Sequence, residues 1–347
     1  MLNAINLNNL SDLQKTYLTQ LSYLDISFLG ARKCVSVGVM IKDLGPILAN
    51  PFLPFCGSAR VDKQMFDKVT KTALGDYVIP TDEELLQDLI MLGLGGITII
   101  DVISDSRSGF QATAFRDSFG NIGISYRGSD FDFSNGGLMD WVVADFLEYF
   151  KNDSLQRRQA LAFFERIGDS DGCNYLYGHS LGGNLASYVY LDNHERIAEV
   201  FIVNGYPINQ SLIDTDEKIE AFNSLKYVCS FVCGDVVSQL KGYDIYRNNV
   251  KRVSNNEALK PSILSAHLVQ SAMFDEFGRF VEATEEEFEQ KMKGAHGGFA
   301  SFSQILRNAL NELDDMRDQA TAVTQNMWNK YKNEFSKLIK KANANKS

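Results

Sequence analysis

Asn174-Tyr175-Leu176-Tyr177-Gly178-His179-Ser180-Leu181-Gly182-Gly183-Asn184-Leu185-Ala186 begins as an apolar strand and continues as a helix, with a serine at the junction. A serine held at the tip of such a turn adopts a strained backbone, and the residues two positions to either side must be glycine because side chains there would collide across the turn. Gly178 and Gly182 meet that requirement, while Gly183 and Ala186 allow the helix to lie close to the sheet. The geometry predicts an exposed Ser180 hydroxyl acting as a nucleophile. The first turn of the helix adds free backbone N–H groups and a positive dipole end, so Leu181 N–H is the expected first donor to an oxyanion.

A serine hydroxyl needs a base within hydrogen-bond reach, and hydrolases built around this strand-turn-helix supply the partners in the order Ser, Asp or Glu, His. The chain has 4 histidines. His179 lies inside the turn and is predicted to point away from the serine, and His194, at the end of the following helix, suits the negative dipole end. His267, in SILSAHLVQSAMF, stands in the right order in a loop-to-helix setting, with His296 in GAHGG as its rival. Asp235 follows the buried-strand pattern KYVCSFVCG and so falls at the carboxyl edge where α/β proteins place their sites. Asp214 and Asp216 compete for the same role but read as N-terminal charges of a surface helix.

Upstream, Ser11 is a plausible N-cap for a helix over 11 to 25 whose face carries Leu13, Tyr17, Leu18, Leu21 and Leu24. Thr81 and Glu84 form a capping-box pattern for a second helix. GFQATAFRD and IGISYRG, separated by SFGN, read as a β-hairpin with Gly120 at positive φ. Helical patterns follow from about Leu138 to Tyr149 and from Leu155 to Ile167. Then strands at NYLYG, AEVFIVNG and KYVCSFVC alternate with helices at SLGGNLASYVYLDNH and TDEKIEAFNSL. Such alternation predicts an α/β fold with a mostly parallel central sheet, and residues 109 to 235 read as the heart of a doubly wound domain. Leu92-Gly93-Leu94-Gly95-Gly96 runs from helix to strand, the reverse of a phosphate-binding turn, and implies no nucleotide.

Past Gly297 and Gly298, apolar residues from Phe302 to Leu338 recur at three- and four-residue spacing, acidic at first (Glu312, Asp314, Asp315, Asp318) and basic later (Lys330, Lys332, Lys337, Lys340, Lys341). That polarity complements a helix macrodipole. We therefore divide the chain into a catalytic domain over 1–297 and a C-terminal helical segment over 298–347. Periodicity leaves open whether the amphipathic helix at 300–341 packs on the body or receives a protein or secretion partner.

With 347 residues, a prior of about 150 per domain is consistent with that division. Lys and Arg number 34 against 44 Asp and Glu, a net charge of −10 that argues against a nucleic-acid partner, because phosphate recognition needs a basic face. The 5 cysteines, Cys34, Cys56, Cys173, Cys229 and Cys233, are too few and scattered for a disulfide framework, and they read as free thiols. Cys229 and Cys233 sit in an apolar run as small buried hydrophobes rather than metal ligands. No metal or organic cofactor is called for. The N-terminus lacks a basic region followed by an apolar one, and the most apolar stretch, Asp88 to Asp101, is too short to span a bilayer. The expectation is a soluble chain, cytoplasmic or exported without a cleavable leader.

Phe131, Phe133, Leu138, Met139 and Trp141 crowd a glycine-containing loop beside the hairpin's second strand, as residues of a lid over an acyl-binding site or as ordinary core. RGSDFDFSNGGLMDWVVADF, YGHSLGGNLASYVYL and CGDVV together resemble the class 3 (fungal-type) lipases and especially the bacterial Mbeg-like group of α/β-hydrolases, over roughly residues 109 to 280. The resemblance implies a triad of Ser180, Asp235 and His267, an oxyanion donor at Ser129 and a lid from Asp130 to about Trp141. The chain departs from the lipases in lacking their GHSLGGA ending and their proline-rich continuation after the acid, and from the Mbeg-like group in having Leu181 where lysine is common. The combined expectation is a serine hydrolase of carboxylic esters, preferably lipid esters at a membrane or micelle interface, with thioester or small-ester hydrolysis as the nearest alternative. Two other readings are an exported lipase toxin that uses the C-terminal helix for an accessory partner, and a non-catalytic α/β-hydrolase-fold interaction protein.

Overall fold

The computed structural model describes residues 4–24, 35–37, 82–105, 108–128, 155–169, 173–206, 208, 210–235, 249–255, 266–267 and 269–291. The helix expected around Leu138 to Tyr149, the Thr81 cap and the whole 298–347 segment lie outside these residues.

Helix α1, Asp12–Gln20, starts where the sequence predicts. Ser11 Oγ accepts from Gln14 N–H at 3.3 Å while Gln14 Oε1 accepts from Ser11 N–H at 2.9 Å, a reciprocal cap that satisfies two otherwise unpaired helix donors. The α-helix stops at Gln20 rather than near residue 25, and the chain tightens into a 3-10 turn, Leu21–Tyr23. Leu18, Leu21 and Leu24 are fully buried, as the periodicity required.

The hairpin forms from β3, Phe110–Arg116, and β4, Ile122–Tyr126, with Gly120 at φ 91° in its turn. Asp117 organises that turn: Oδ1 accepts from Phe119 and Asn121 N–H, and Oδ2 accepts from Leu7 N–H at 2.8 Å, which ties the N-terminal residues to the sheet. The remaining elements are β1 (Val35–Ser36), α2 (Asp82–Met91), β2 (Thr98–Asp105), α3 (Leu155–Ile167), β5 (Asn174–His179), α4 (Leu181–Asn193), β6 (Ile197–Val203), α5 (Asp216–Asn223), β7 (Tyr227–Val232) and β8 (Val250–Val253).

The strands make one mixed sheet in the order β1 to β8, antiparallel from β1 to β4 and parallel from β4 to β8. This corrects the doubly wound reading. The order never reverses, and right-handed crossovers that step always in one direction place their helices on one face of the sheet. Accordingly Phe163 and Phe164 of α3, Val189 and Tyr190 of α4 and Phe222 of α5 share one core with Ala112, Ile124, Leu176, Ile202 and Cys229. On the other face Leu18 and Leu21, with Leu85, Leu86 and Leu89 of α2, pack on Phe115, Tyr177, Phe201 and Val203, together with Val269, Ala272 and Phe280. Alternate residues of each strand thus enter opposite cores, the period-two pattern of a sheet buried on both sides. Strand β8 was not legible as sheet, because Val250-Lys251-Arg252-Val253 is short and carries two cations.

Among the described residues no helix is long and apolar enough to cross a membrane. Cys173, Cys229 and Cys233 are unpaired, and Cys34 and Cys56 lie outside the described residues. Cys229 and Cys233 are buried, and burial pushes the Cys233 thiol up to about 11 and the Cys229 thiol higher still, so both behave as apolar packing groups.

Candidate active site

Strand β5 delivers Ser180 at its carboxyl end, and α4 begins at the next residue. Ser180 has φ 57° and ψ −128°, a strained conformation for a residue with a side chain. The neighbouring glycines explain how the turn closes. A Cβ on Gly178 would lie 2.4 Å from Gly182 O, and one on Gly182 would lie 2.0 Å from Tyr126 O, so neither position admits a side chain.

The other two members arrive from adjacent strand ends. Asp235 follows β7 through Gly234 at φ 90°, and its N–H returns to Val232 O at 3.0 Å. His267 lies after β8, in the short helical step 266–267. Its Nδ1 is 2.8 Å from Asp235 Oδ1 and its Nε2 is 2.8 Å from Ser180 Oγ. Since a carboxylate only accepts, Nδ1 carries the proton and Nε2 is free to accept from the serine hydroxyl. The three residues that the chain order selected are therefore brought together in one continuous hydrogen-bonded line.

One expectation fails. The Ser180 hydroxyl was predicted to be exposed, but the residue retains only 2% of its exposure, and Asp235 and His267 retain none. The sharp turn aims the hydroxyl at the imidazole rather than at solvent.

The competing candidates occupy other places. His194 caps the far end of α4, with Nε2 at 3.3 Å from Glu217 Oε1. Asp214 is an exposed partner of Lys218 at 3.0 Å, and Asp216 opens α5. His296, Ser129, Phe131, Phe133, Leu138, Met139 and Trp141 lie outside the described residues. Leu181 is the first residue of α4, where a backbone N–H has no partner within the helix.

His179 does point away from the serine, as predicted, but its surroundings were not foreseen. Its Nδ1 is 2.9 Å from Tyr23 Oη and its Nε2 is 2.8 Å from the His267 carbonyl oxygen. Burial, followed by the nearby His267 ring, lowers its pKa from the ordinary 6.5 to about 3. The unfolded chain therefore takes up a proton below pH 6.5 that the folded chain refuses. Stability is predicted to fall by up to about 1.4 kcal/mol per pH unit as the pH drops from about 6.5 towards 3. Urea midpoints at pH 7 and pH 5 should show this loss, and His179→Gln should flatten it; equal slopes would refute the assignment.

Two further residues were missed. Asn204, at the end of β6 with φ 49°, donates from Nδ2 to the carbonyls of His267 at 2.9 Å and Ala266 at 3.1 Å, while its Oδ1 accepts from Val232 N–H at 2.9 Å. The available signal was Asn204-Gly205 directly after a strand, since asparagine tolerates positive φ better than most residues. Arg157 of α3 is almost wholly buried, donates from Nη2 to Asn184 Oδ1 at 3.1 Å and lies 4.6 Å from the Tyr188 ring centre, bracing the helix that follows Ser180. Nothing in the helical periodicity of α3 distinguishes such an arginine from a surface one.

Among solved structures, the chain is similar to a Rhizomucor miehei lipase in complex with its propeptide, at 13% identity and a TM-score of 0.34 over 72% of this chain and 83% of that one. It is similar to lipase II from Rhizopus niveus at 13% identity and a TM-score of 0.29, over 64% and 82% of the two chains. A triacylglycerol lipase from Penicillium expansum is similar at 17% identity and a TM-score of 0.28, over 53% and 85%. Among curated proteins none matches the chain. A sequence profile of the Mbeg1-like family matches residues 98–298, from the first residues of β2 through Ser180, Asp235 and His267. Because that match spans more than half of the 347 residues, the chain belongs to the Mbeg1-like family.

Proposed function

We propose that the protein hydrolyses carboxylic esters by way of an acyl-enzyme on Ser180, with lipid esters of the lipase or phospholipase A type as the preferred class. The observation that carries this reading is the line Ser180 Oγ, His267 Nε2, His267 Nδ1, Asp235 Oδ1, with both hydrogen bonds at 2.8 Å. His267 Nε2 takes the hydroxyl proton as Ser180 Oγ attacks the ester carbonyl, and the charge that develops on the carbonyl oxygen is stabilised at the N-terminus of α4 by Leu181 N–H. We assign the second donor to Ser129. Collapse of the tetrahedral intermediate breaks the bond to the alkoxide, which leaves as the alcohol with the proton from His267 Nε2. Water then attacks the acyl-serine, gives its proton to the same nitrogen and releases the acid while Ser180 recovers its hydrogen. Asp235 holds the imidazole in the tautomer that presents a lone pair to the serine and stabilises its charged form.

With Ser180 2% exposed, substrate reaches the nucleophile only after movement of the surrounding residues. We assign Phe131, Phe133, Leu138, Met139 and Trp141 to the moving cover. An apolar cover opens at less cost against a lipid surface than in water, which favours aggregated substrates.

Incubation with a fluorophosphonate tests the reading directly. The expected result is a covalent adduct that peptide mass spectrometry places on Ser180, with long-chain micellar esters hydrolysed faster than soluble acetyl esters. Absence of an adduct at any concentration overturns the hydrolase reading, and preference for the acetyl esters overturns the substrate class.

A further inference from the structure

We infer that Tyr23 and His179 form a positioning relay that fixes the backbone of His267, so that the N-terminal 3-10 turn is part of the machinery of the site. The inference rests on the reading of His267 as the base that serves Ser180. It starts from the His267 carbonyl oxygen, which is held from two sides: by His179 Nε2 at 2.8 Å and by Asn204 Nδ2 at 2.9 Å. A carbonyl accepts through two lone pairs and cannot donate, so both partners must be donors. His179 therefore carries its proton on Nε2. A neutral imidazole then has a bare lone pair on Nδ1, and the group within reach is the Tyr23 hydroxyl, 2.9 Å away, which must give its proton to that nitrogen.

The His267 carbonyl thereby sets which nitrogen of His179 is protonated, and Tyr23 completes the arrangement by supplying the donor for the other. With the hydroxyl gone, Nδ1 is a buried acceptor deprived of its donor, and the ring keeps its Nε2–H bond to the His267 carbonyl but loses the anchor that fixes its rotation. Transfer of the proton to Nδ1 would turn the Nε2 lone pair towards the carbonyl lone pairs of His267, converting an attraction into a repulsion. Rotation of the unanchored ring would draw Nε2–H off the His267 carbonyl oxygen, which would keep the donor from Asn204. The two imidazole rings lie 5.0 Å apart between centres, so a displacement of one backbone is felt at the other ring. The neutral state needed for this arrangement is secured by burial, which keeps His179 unprotonated down to about pH 3.

The place of Tyr23 in the fold strengthens the case. A Cβ on Gly128, just past β4, would lie 2.5 Å from Tyr23 Oη and 3.0 Å from Ser180 Cβ, so the phenol reaches the immediate neighbourhood of the nucleophile. Tyr23 lies outside the matched region 98–298, and α1 with its 3-10 extension is anchored on the sheet by Lys15 Nζ at 2.6 Å from Glu199 Oε1 and by Ser125 Oγ at 3.0 Å from Ser22 Oγ. The N-terminal segment thus packs on one face of the sheet and inserts one hydroxyl behind the catalytic turn.

The test uses the full-length chain with ¹⁵N-labelled imidazoles, together with p-nitrophenyl butyrate hydrolysis and the fluorophosphonate labelling rate. In the wild type the His179 ring is expected as the neutral Nε2–H tautomer. Tyr23→Phe should leave the proton on Nε2, shift the Nδ1 resonance by removing its donor, and lower kcat about tenfold with KM unchanged, the scale of a small misplacement of a reacting group. His179→Gln should retain most of the activity, because its amide can donate to the carbonyl and accept from Tyr23. His179→Leu should lose at least as much as Tyr23→Phe, and the double variant should lose no more than His179→Leu alone. An Nδ1–H tautomer in the wild type, or additive losses in the double variant, overturns the relay. If Tyr23→Phe does not fold, the wild-type tautomer and the comparison of His179→Gln with His179→Leu still decide. If the wild type neither labels nor hydrolyses, the ester-hydrolase reading fails separately, while the tautomer measurement still reports on the relay.

Discussion

On the proposed ester-hydrolase reading, Ser180→Ala is expected to lower kcat for p-nitrophenyl butyrate by about 10⁶-fold, leaving the fold intact, because a nucleophile and its base act as a unit and little remains once either is gone. Asp235→Asn should cost less, about 10⁴-fold, and for a different reason. An asparagine amide turned towards Nδ1 of His267 donates where the carboxylate accepts, forcing the imidazole into the tautomer whose Nε2 bears a proton and cannot take one from Ser180 Oγ, now 2.8 Å away. Ser180→Ala combined with Asp235→Asn should then be no slower than Ser180→Ala alone. Fully additive losses would mean that the hydrogen-bonded line does not operate as one device. Retention of more than about a tenth of wild-type kcat in Asp235→Asn would remove Asp235 from the mechanism, since neither an orienting nor a charge-stabilising carboxylate can be spared so cheaply.

The second large effect concerns packing. Gly182→Ala places a Cβ 2.0 Å from Tyr126 O, 2.8 Å from Tyr126 C and 2.9 Å from Arg127 C, all backbone atoms at the end of β4. No rotamer change relieves that overlap. The first turn of α4 must move off β4, and overpacking of this severity costs about 3 kcal/mol. The chain that still folds should label with fluorophosphonate roughly 100-fold more slowly, because that turn carries Ser180 and a displacement of about 1 Å at a reacting group has that consequence. Thermal unfolding and labelling rates measured on the same preparation check both halves. A variant with wild-type stability and rate would show that α4 and β4 do not approach as closely as described.

The sequence carried much of this site because its signals are local. Gly178 and Gly182 flank Ser180 at the spacing a strand-to-helix turn demands, a pattern contained within five consecutive residues. Asp235 was selected because an apolar strand ends just before it, and His267 because it follows that acid; the structure brings both to 2.8 Å contacts in one line. The hairpin turn at Gly120 and the Ser11 cap were legible for the same reason, since each is closed by residues within four positions of one another.

What failed or was missed depends on residues far apart in the chain. The strand order is invisible in alternation alone, so helices on one face and helices on both faces look the same until neighbouring strands are known. Tyr23 is 156 positions from His179, and Asn204 is 63 from His267, so nothing in either neighbourhood announces the pairing. The burial of Ser180 was equally out of reach, because exposure is set by what packs over a turn and not by the turn itself.

By itself the sequence determined the nature of the elements it could read locally, the strained turn at Ser180 and the choice of Asp235 and His267 as the residues to look for beside it, because backbone sterics, capping and hydrophobic period act over a few residues. Only the tertiary structure decided that α3, α4 and α5 share one face, that α1 and α2 pack on the other, and that Tyr23, His179 and Asn204 gather behind His267. These are consequences of chain segments meeting across the sheet, where contact is fixed by packing and long-range hydrogen bonds that leave no periodic trace in the sequence.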